Sequence, residues 1–205
     1  MGLGSQAAAS GRGFTFGFNA GIGPTVWSHS AYRFGVEAGY RFSARLGILI
    51  EAETGTTTYE SSTEWPSMSY LTSSEIAYTA TPISLTLHYI VPLNNRAAFT
   101  IGLGGGFYAL AIETEDSDPN DRSRTMRTAQ KARAFAPHLC LSFECGLIGK
   151  MALIGEVKQS AGKTKISTTD PYGFISKQDL SFGGTQVKIG IRIVLDRSEN
   201  AEGGR

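Results

Sequence analysis

Near the end of the chain, Val187, Ile189, Ile191, Ile193 and Leu195 alternate with Gln186, Lys188, Gly190, Arg192 and Val194. The same beat sets Phe34, Val36, Ala38, Tyr40 and Phe42 against Arg33, Gly35, Glu37, Gly39 and Arg41. A period of two marks an extended strand with one apolar and one polar face. Eight such runs recur, over Gly13–Val26, Tyr32–Phe42, Arg45–Tyr59, Glu75–Ile90, Ala97–Thr114, Ala132–Cys145, Lys150–Ile166 and Leu180–Leu195. Short turns near Ser43, Asn94 and Ile148 alternate with long polar segments near Trp27, Trp65, Asn120 and Tyr172. An up-and-down barrel predicts this asymmetry, with all short turns and both chain ends on one rim. A Greek-key sandwich does not require it.

The 205 residues fit one domain. The pattern divides them into a flexible segment, 1–12, a barrel, 13–195, and a polar tail, 196–205. Only 18% of the residues are charged, and the net charge is +1. No basic stripe points to nucleic acid. No apolar run is long enough for a transmembrane helix, but a barrel strand needs only about ten alternating residues. The opening Met1–Ser10 has neither the charged n-region nor the apolar h-region of an intact signal peptide.

The two faces differ in chemistry. The central outward positions carry essentially no charge, as lipid demands. The other face carries Arg33, Glu37, Arg41, Glu51, Glu53, Glu144, Glu156, Lys158, Lys188 and Arg192. These five acids and five bases suit mutual pairing in a narrow lumen. An eight-stranded barrel is just wide enough for side chains to fill it, so a charge-filled interior is expected rather than an open pore. Inward glycines, including Gly17, Gly21, Gly35, Gly39, Gly102, Gly104 and Gly106, make room for long neighbours. Gly102–Gly106 lacks the Lys-Ser/Thr of a phosphate loop. Tyr40, Phe42, Tyr89, Phe99 and Phe143 form the expected interfacial girdle near the short-turn rim, and Trp27, Tyr32, Phe107 and Phe135 the opposite one.

Two other features bear on chemistry. Cys140 and Cys145 lie an odd number of positions apart in one strand, on opposite faces, and should not bridge. No metal site is expected from two cysteines. The acidic Asp116–Asp121 stretch lacks the spacing of a calcium loop.

Thr81-Pro-Ile-Ser-Leu-Thr-Leu-His-Tyr-Ile90, then Val91-Pro-Leu, then Phe99-Thr-Ile-Gly-Leu-Gly-Gly-Gly106 resembles the fourth strand, short turn and Gly-rich fifth strand of the OmpA-like and OmpX-like barrels. The resemblance to this small outer-membrane superfamily covers Gly13–Leu195. It implies an all-β, eight-stranded, antiparallel up-and-down transmembrane β-barrel in the outer membrane of a Gram-negative bacterium. It also implies contact with outer-membrane lipid and lipopolysaccharide, insertion by the barrel-assembly machinery, and no cofactor. A monomer is expected. Two points depart from the family. The last outward residue is Leu195 where an aromatic is usual, and a peptidoglycan-binding domain after the barrel is not expected.

The expected role is non-enzymatic: structural, adhesive or surface-interacting, with an extracellular ligand as a candidate partner, through loops at Tyr59–Ser73, Glu115–Lys131 and Ser167–Asp179. Three alternatives stay open on the sequence: a narrow pore, a lipid A-modifying barrel enzyme and a soluble lipocalin-like ligand binder. The enzyme would draw on His29 with Ser28 and Ser30, on His138, or on His88 with Glu144. On the non-enzymatic reading no catalytic residue is expected. For the lipocalin, alternation cannot tell which face is outside.

Overall fold

The computed structural model describes residues 12–24, 30–65, 70–94, 96–118, 121–169 and 175–196. Eight strands follow one another: β1 (Gly13–Pro24), β2 (Ser30–Arg41), β3 (Leu46–Trp65), β4 (Tyr70–Pro92), β5 (Ala97–Asp118), β6 (Asp121–Gly146), β7 (Met151–Thr169) and β8 (Ile175–Asp196). Each pairs antiparallel with the next, and β8 closes on β1 from Gly13↔Asp196 to Ile22↔Val187. Closure removes the sheet edges, which is what allows strands to cross lipid.

Burial decides which face is outside. The charged row is buried, whereas Phe18 and Phe107 are 71% exposed and Leu103 67%. A soluble monomer does not leave so continuous an apolar belt in water. This is a transmembrane barrel, and it overturns the lipocalin-like alternative, which needs the opposite arrangement. On β5 and β6 the outward apolar run extends from Phe99↔Phe143 to Phe107↔Phe135, both pairs in register. That is the span of roughly nine to eleven residues a tilted strand needs to cross a bilayer. The upper pair meets edge to face at 5.4 Å. At the short-turn rim, Tyr40 contacts Phe14 at 4.9 Å and Phe42 at 5.4 Å.

The short turns follow from local chemistry. Ser43 Oγ accepts from the Arg45 and Leu46 amides at 3.2 and 3.1 Å. Asn94 Oδ1 accepts from Arg96 and Ala97 at 2.8 Å each, an Asx-type cap of the reversal. Gly149 takes φ +60° in the third turn, a conformation that favours glycine.

The long loops are largely strand, which corrects the sequence reading. The β3–β4 ladder continues to Trp65↔Tyr70, β5–β6 to Asp118↔Asp121, and β7–β8 to Thr169↔Ile175. Beyond the bilayer both faces meet water, so apolar alternation fades while backbone pairing persists. The expected loop residues Trp27, Ser28, His29, Asn120 and Tyr172 lie outside the described residues, as do Met1–Ser10 and the tail beyond Asp196.

The projecting strands do not form a complete wall. The β2–β3 ladder ends at Arg33↔Gly55 and the β6–β7 ladder at His138↔Ser160. Pro137, the next residue outward on β6, has no N–H to give to a ladder. Further out, β3–β4–β5–β6 continue as one sheet and β7–β8 as a hairpin. Side chains tie the unladdered margins: Thr57 Oγ1 donates to Ser30 O at 3.1 Å, and Thr164 Oγ1 to Arg133 O at 3.3 Å.

Candidate functional site

Glycines explain how the lumen is filled. Gly17 of β1 stands opposite both Glu37 of β2 and Arg192 of β8. With no side chain between them, Arg192 Nε reaches Glu37 Oε1 at 2.6 Å. This also resolves a conflict on the β2–β3 ladder, where Glu37 faces Glu51 directly. Like charges in that position repel, and Glu37 turns the other way. Gly102 separates His88 from Cys140 in the same manner, and Gly104 separates Thr86 from His138. Across them Cys140 Sγ comes 3.8 Å from His88 Nε2, and Thr86 Oγ1 lies 2.8 Å from His138 Nε2.

The ten charged residues fall into two connected groups. Near the short-turn rim, Arg41 Nη2 grips both oxygens of Glu144 at 2.7 and 2.8 Å, and Arg192 Nη1 adds a bond at 3.1 Å. Higher up, Glu51 receives Lys158, Lys188 and Asn19 Nδ2, the last at 2.8 Å. Lys188 also contacts Glu156 at 2.8 Å and Glu53 at 3.0 Å. Glu53 is held further by Gln186 at 3.0 and 3.1 Å and by Arg33 at 3.5 Å. Glu51 and Glu144 are each only 2% exposed. Paired charges can be kept in so dry a place because each carboxylate has cationic donors at bonding distance. Asn19 and Gln186 belong to this lattice, and neither carries a formal charge that would mark it in the sequence.

The charges do not fill the whole interior. Toward the projecting strands the inner face turns apolar: Tyr78, Ala80, Tyr108, Leu110, Ile112, Ala136, Leu180 and Phe182 form one buried cluster. Tyr108 and Phe182 meet with ring centroids 5.0 Å apart, and Gly162 leaves the space that the Phe182 ring occupies. The lumen is thus a polar lattice capped by an apolar plug. Voids beside the lattice, at Asn19 and Glu37 and again at Arg41 and Thr100, have volumes near 10 and 20 Å³. Each has room for about one water and no solute stream.

Of the candidate catalytic histidines, His138 is buried against Thr86, and His88 faces Cys140. Glu144, the partner considered for His88, is taken by Arg41 and Arg192. His29 with Ser28 lies outside the described residues. Among the described residues, no cluster of three metal-ligating groups forms.

Both thiols are free, Cys140 buried inward and Cys145 half-buried at the short-turn end. In the folded barrel a thiol reagent is expected to label Cys145 alone, and both after denaturation. Fast labelling of Cys140 would contradict a packed lumen.

Compared with known proteins, the chain matches solved structures of one architecture. Neisserial surface protein A aligns over 90% of this chain and 97% of its own, with TM-score 0.54 and 10% identity. A major outer membrane protein from Thermus thermophilus aligns over 90% and 99%, with TM-score 0.53 and 12% identity. The fold is that of a small outer-membrane β-barrel. No protein-family model and no curated protein sequence matches the chain. At such identities the likeness concerns the barrel's strand number, closure and topology, and its chemistry rests on its own residues.

Proposed function

We propose that this protein is a closed, non-enzymatic barrel of the bacterial outer membrane that engages partners through the sheet it projects from the cell. The observation that carries this reading is the double occlusion of the lumen, by ion pairs below and by the cluster around Tyr78 and Phe182 above. A chain that seals its interior this way invests its strand length outside the bilayer instead. Among the described residues, the outer part of β3, residues 56–65, is laddered to β4 and not to β2. Such an edge offers unpaired backbone groups to an extended segment of another protein.

Refolded into planar bilayers, the protein is expected to give no steady conductance. A stable, large, single-channel step would overturn the sealed-lumen reading. The edge is tested by bacterial adhesion to immobilised matrix proteins, comparing the parent with Thr58→Pro. Proline removes a backbone donor from β3, and adhesion is expected to fall while the barrel still forms. Equal adhesion of the two strains, or none in the parent, would move the role elsewhere.

A further inference from the structure

Four cations stand in equivalent places around the short-turn rim. Arg12, Arg45, Arg96 and Lys150 are each the residue immediately before a strand that starts at this rim: β1 at Gly13, β3 at Leu46, β5 at Ala97 and β7 at Met151. The equivalence extends to the backbone. The carbonyls of Arg45, Arg96 and Lys150 accept from Ile90, Gly146 and Val194 at 2.8, 2.6 and 2.9 Å, each at the far end of the neighbouring strand. Arg12 instead donates from Nε to the carbonyl of Phe42, at 3.1 Å. All four side chains are exposed.

Among the described side chains of this rim no exposed carboxylate balances them; Asp196, which ends β8 opposite Gly13, is the acid whose backbone reaches it. Glu144 and Glu156, the acids nearest in the sequence to Lys150, both point inward, Glu144 bound to Arg41 and Arg192 and Glu156 to Lys188. The opposite rim is mixed, with exposed Glu75, Glu113 and Asp179 beside Lys131, Arg133, Lys163 and Lys165. The cations also share their rim with bare apolar residues. Leu93 is exposed, and Ile148 at the tip of the third turn is 82% exposed. The outward belt begins at once above them, with Phe42, Leu46, Tyr89 and Met151. A long cation at the lower margin of such a belt keeps its stem in the apolar zone and its charge at headgroup depth.

We infer that this ring is a docking surface for anionic glycerophospholipid headgroups of the leaflet that meets the short turns. The inference rests on the membrane reading above. Charge complementarity selects the occupant: four spaced, exposed cations at the lower margin of the apolar belt, with no competing exposed acid among the described side chains. Zwitterionic lipid carries its own cation, so net attraction favours phosphatidylglycerol over phosphatidylcholine.

The test is native mass spectrometry of the detergent-refolded full chain mixed with equal amounts of these two lipids. The parent is expected to retain phosphatidylglycerol about tenfold over phosphatidylcholine. The quadruple variant Arg12→Gln, Arg45→Gln, Arg96→Gln and Lys150→Gln is expected to lose that preference. A control with Lys131→Gln, Arg133→Gln, Lys163→Gln and Lys165→Gln is expected to keep it. Equal retention by the parent, or loss of preference only in the control, would overturn the inference. So would displacement of the lipid by a soluble acidic polymer that binds the same four residues more tightly. Each preparation is checked for a heat-modifiable band on gels. A chain that never forms one contradicts the membrane reading itself, whereas a folded barrel indifferent to lipid charge contradicts only the ring.

Discussion

Glu51→Gln is expected to destabilise the barrel by about 3–5 kcal/mol, read as a lowered urea midpoint in detergent micelles. Glu51 sits at the crossing of β7 and β8 cations, with Lys158 and Lys188 both bonded to it. The amide keeps the shape and removes the charge, so the cost is that of leaving buried ammonium groups short of a counterion. The two lysines do not suffer equally. Lys188 retains Glu156 at 2.8 Å and Glu53 at 3.0 Å, whereas Lys158 is left with contacts at 3.9 and 4.0 Å. Adding Lys158→Met is therefore expected to recover most of the loss, since it removes the buried charge that the first change leaves without a near counterion. A Glu51→Gln barrel as stable as the parent, or no recovery in the double variant, would show that the lattice is not what holds the lumen together.

Gly104→Val is expected to abolish the heat-modifiable band. A β-carbon there would collide with the Leu85 carbonyl oxygen and lie 2.7 Å from His138 Nε2. The first contact is with backbone, which cannot step aside without breaking the β4–β5 ladder. Overpacking a tight interior by even one methyl costs about 1–3 kcal/mol, and valine adds two more heavy atoms. Gly102 makes a sharper comparison. The atoms nearest its β-carbon would be side chains: it would run into Cys140 Sγ and lie 2.7 Å from both His88 Cδ2 and Thr86 Cγ2. Gly102→Ala should be eased by Cys140→Ala, whereas His138→Ala should not rescue Gly104→Val. Gly155 faces lipid with nothing within 4 Å of its β-position, and Gly155→Val should fold as the parent does. Failure of that control would mean that strand propensity, not lumen space, governs these glycines.

Strand number, order and the division of each strand into two faces were legible in the chain because a two-residue period sorts side chains strictly, whereas which face is outside was decided by the closed barrel. Phe14 to Ile22 and Leu195 back to Val187 pair across the seam in the phase their alternation demands. The same rule marked Arg33, Glu37 and Lys188 as inward, since an unpaired charge cannot face hydrocarbon. Strand ends were not legible. Ser61↔Ser74 and Ser62↔Ser73 pair in a ladder where neither face has to be apolar, and a polar stretch reads as loop in one dimension.

The chain's own residues decide the barrel's outer surface, because the solvent of that surface acts on each residue separately. Who meets whom inside is a different matter. Nothing local indicates that Lys158 reaches Glu51, 107 positions away, or that Glu37 abandons its ladder neighbour for Arg192. Those choices depend on the stagger with which eight strands close and on which glycines fall between the partners. The inward turn of Tyr78, Leu110, Leu180 and Phe182 into a plug was hidden for the same reason. On either face an apolar residue satisfies the alternation, and only the closed wall determines that these four face one another rather than lipid.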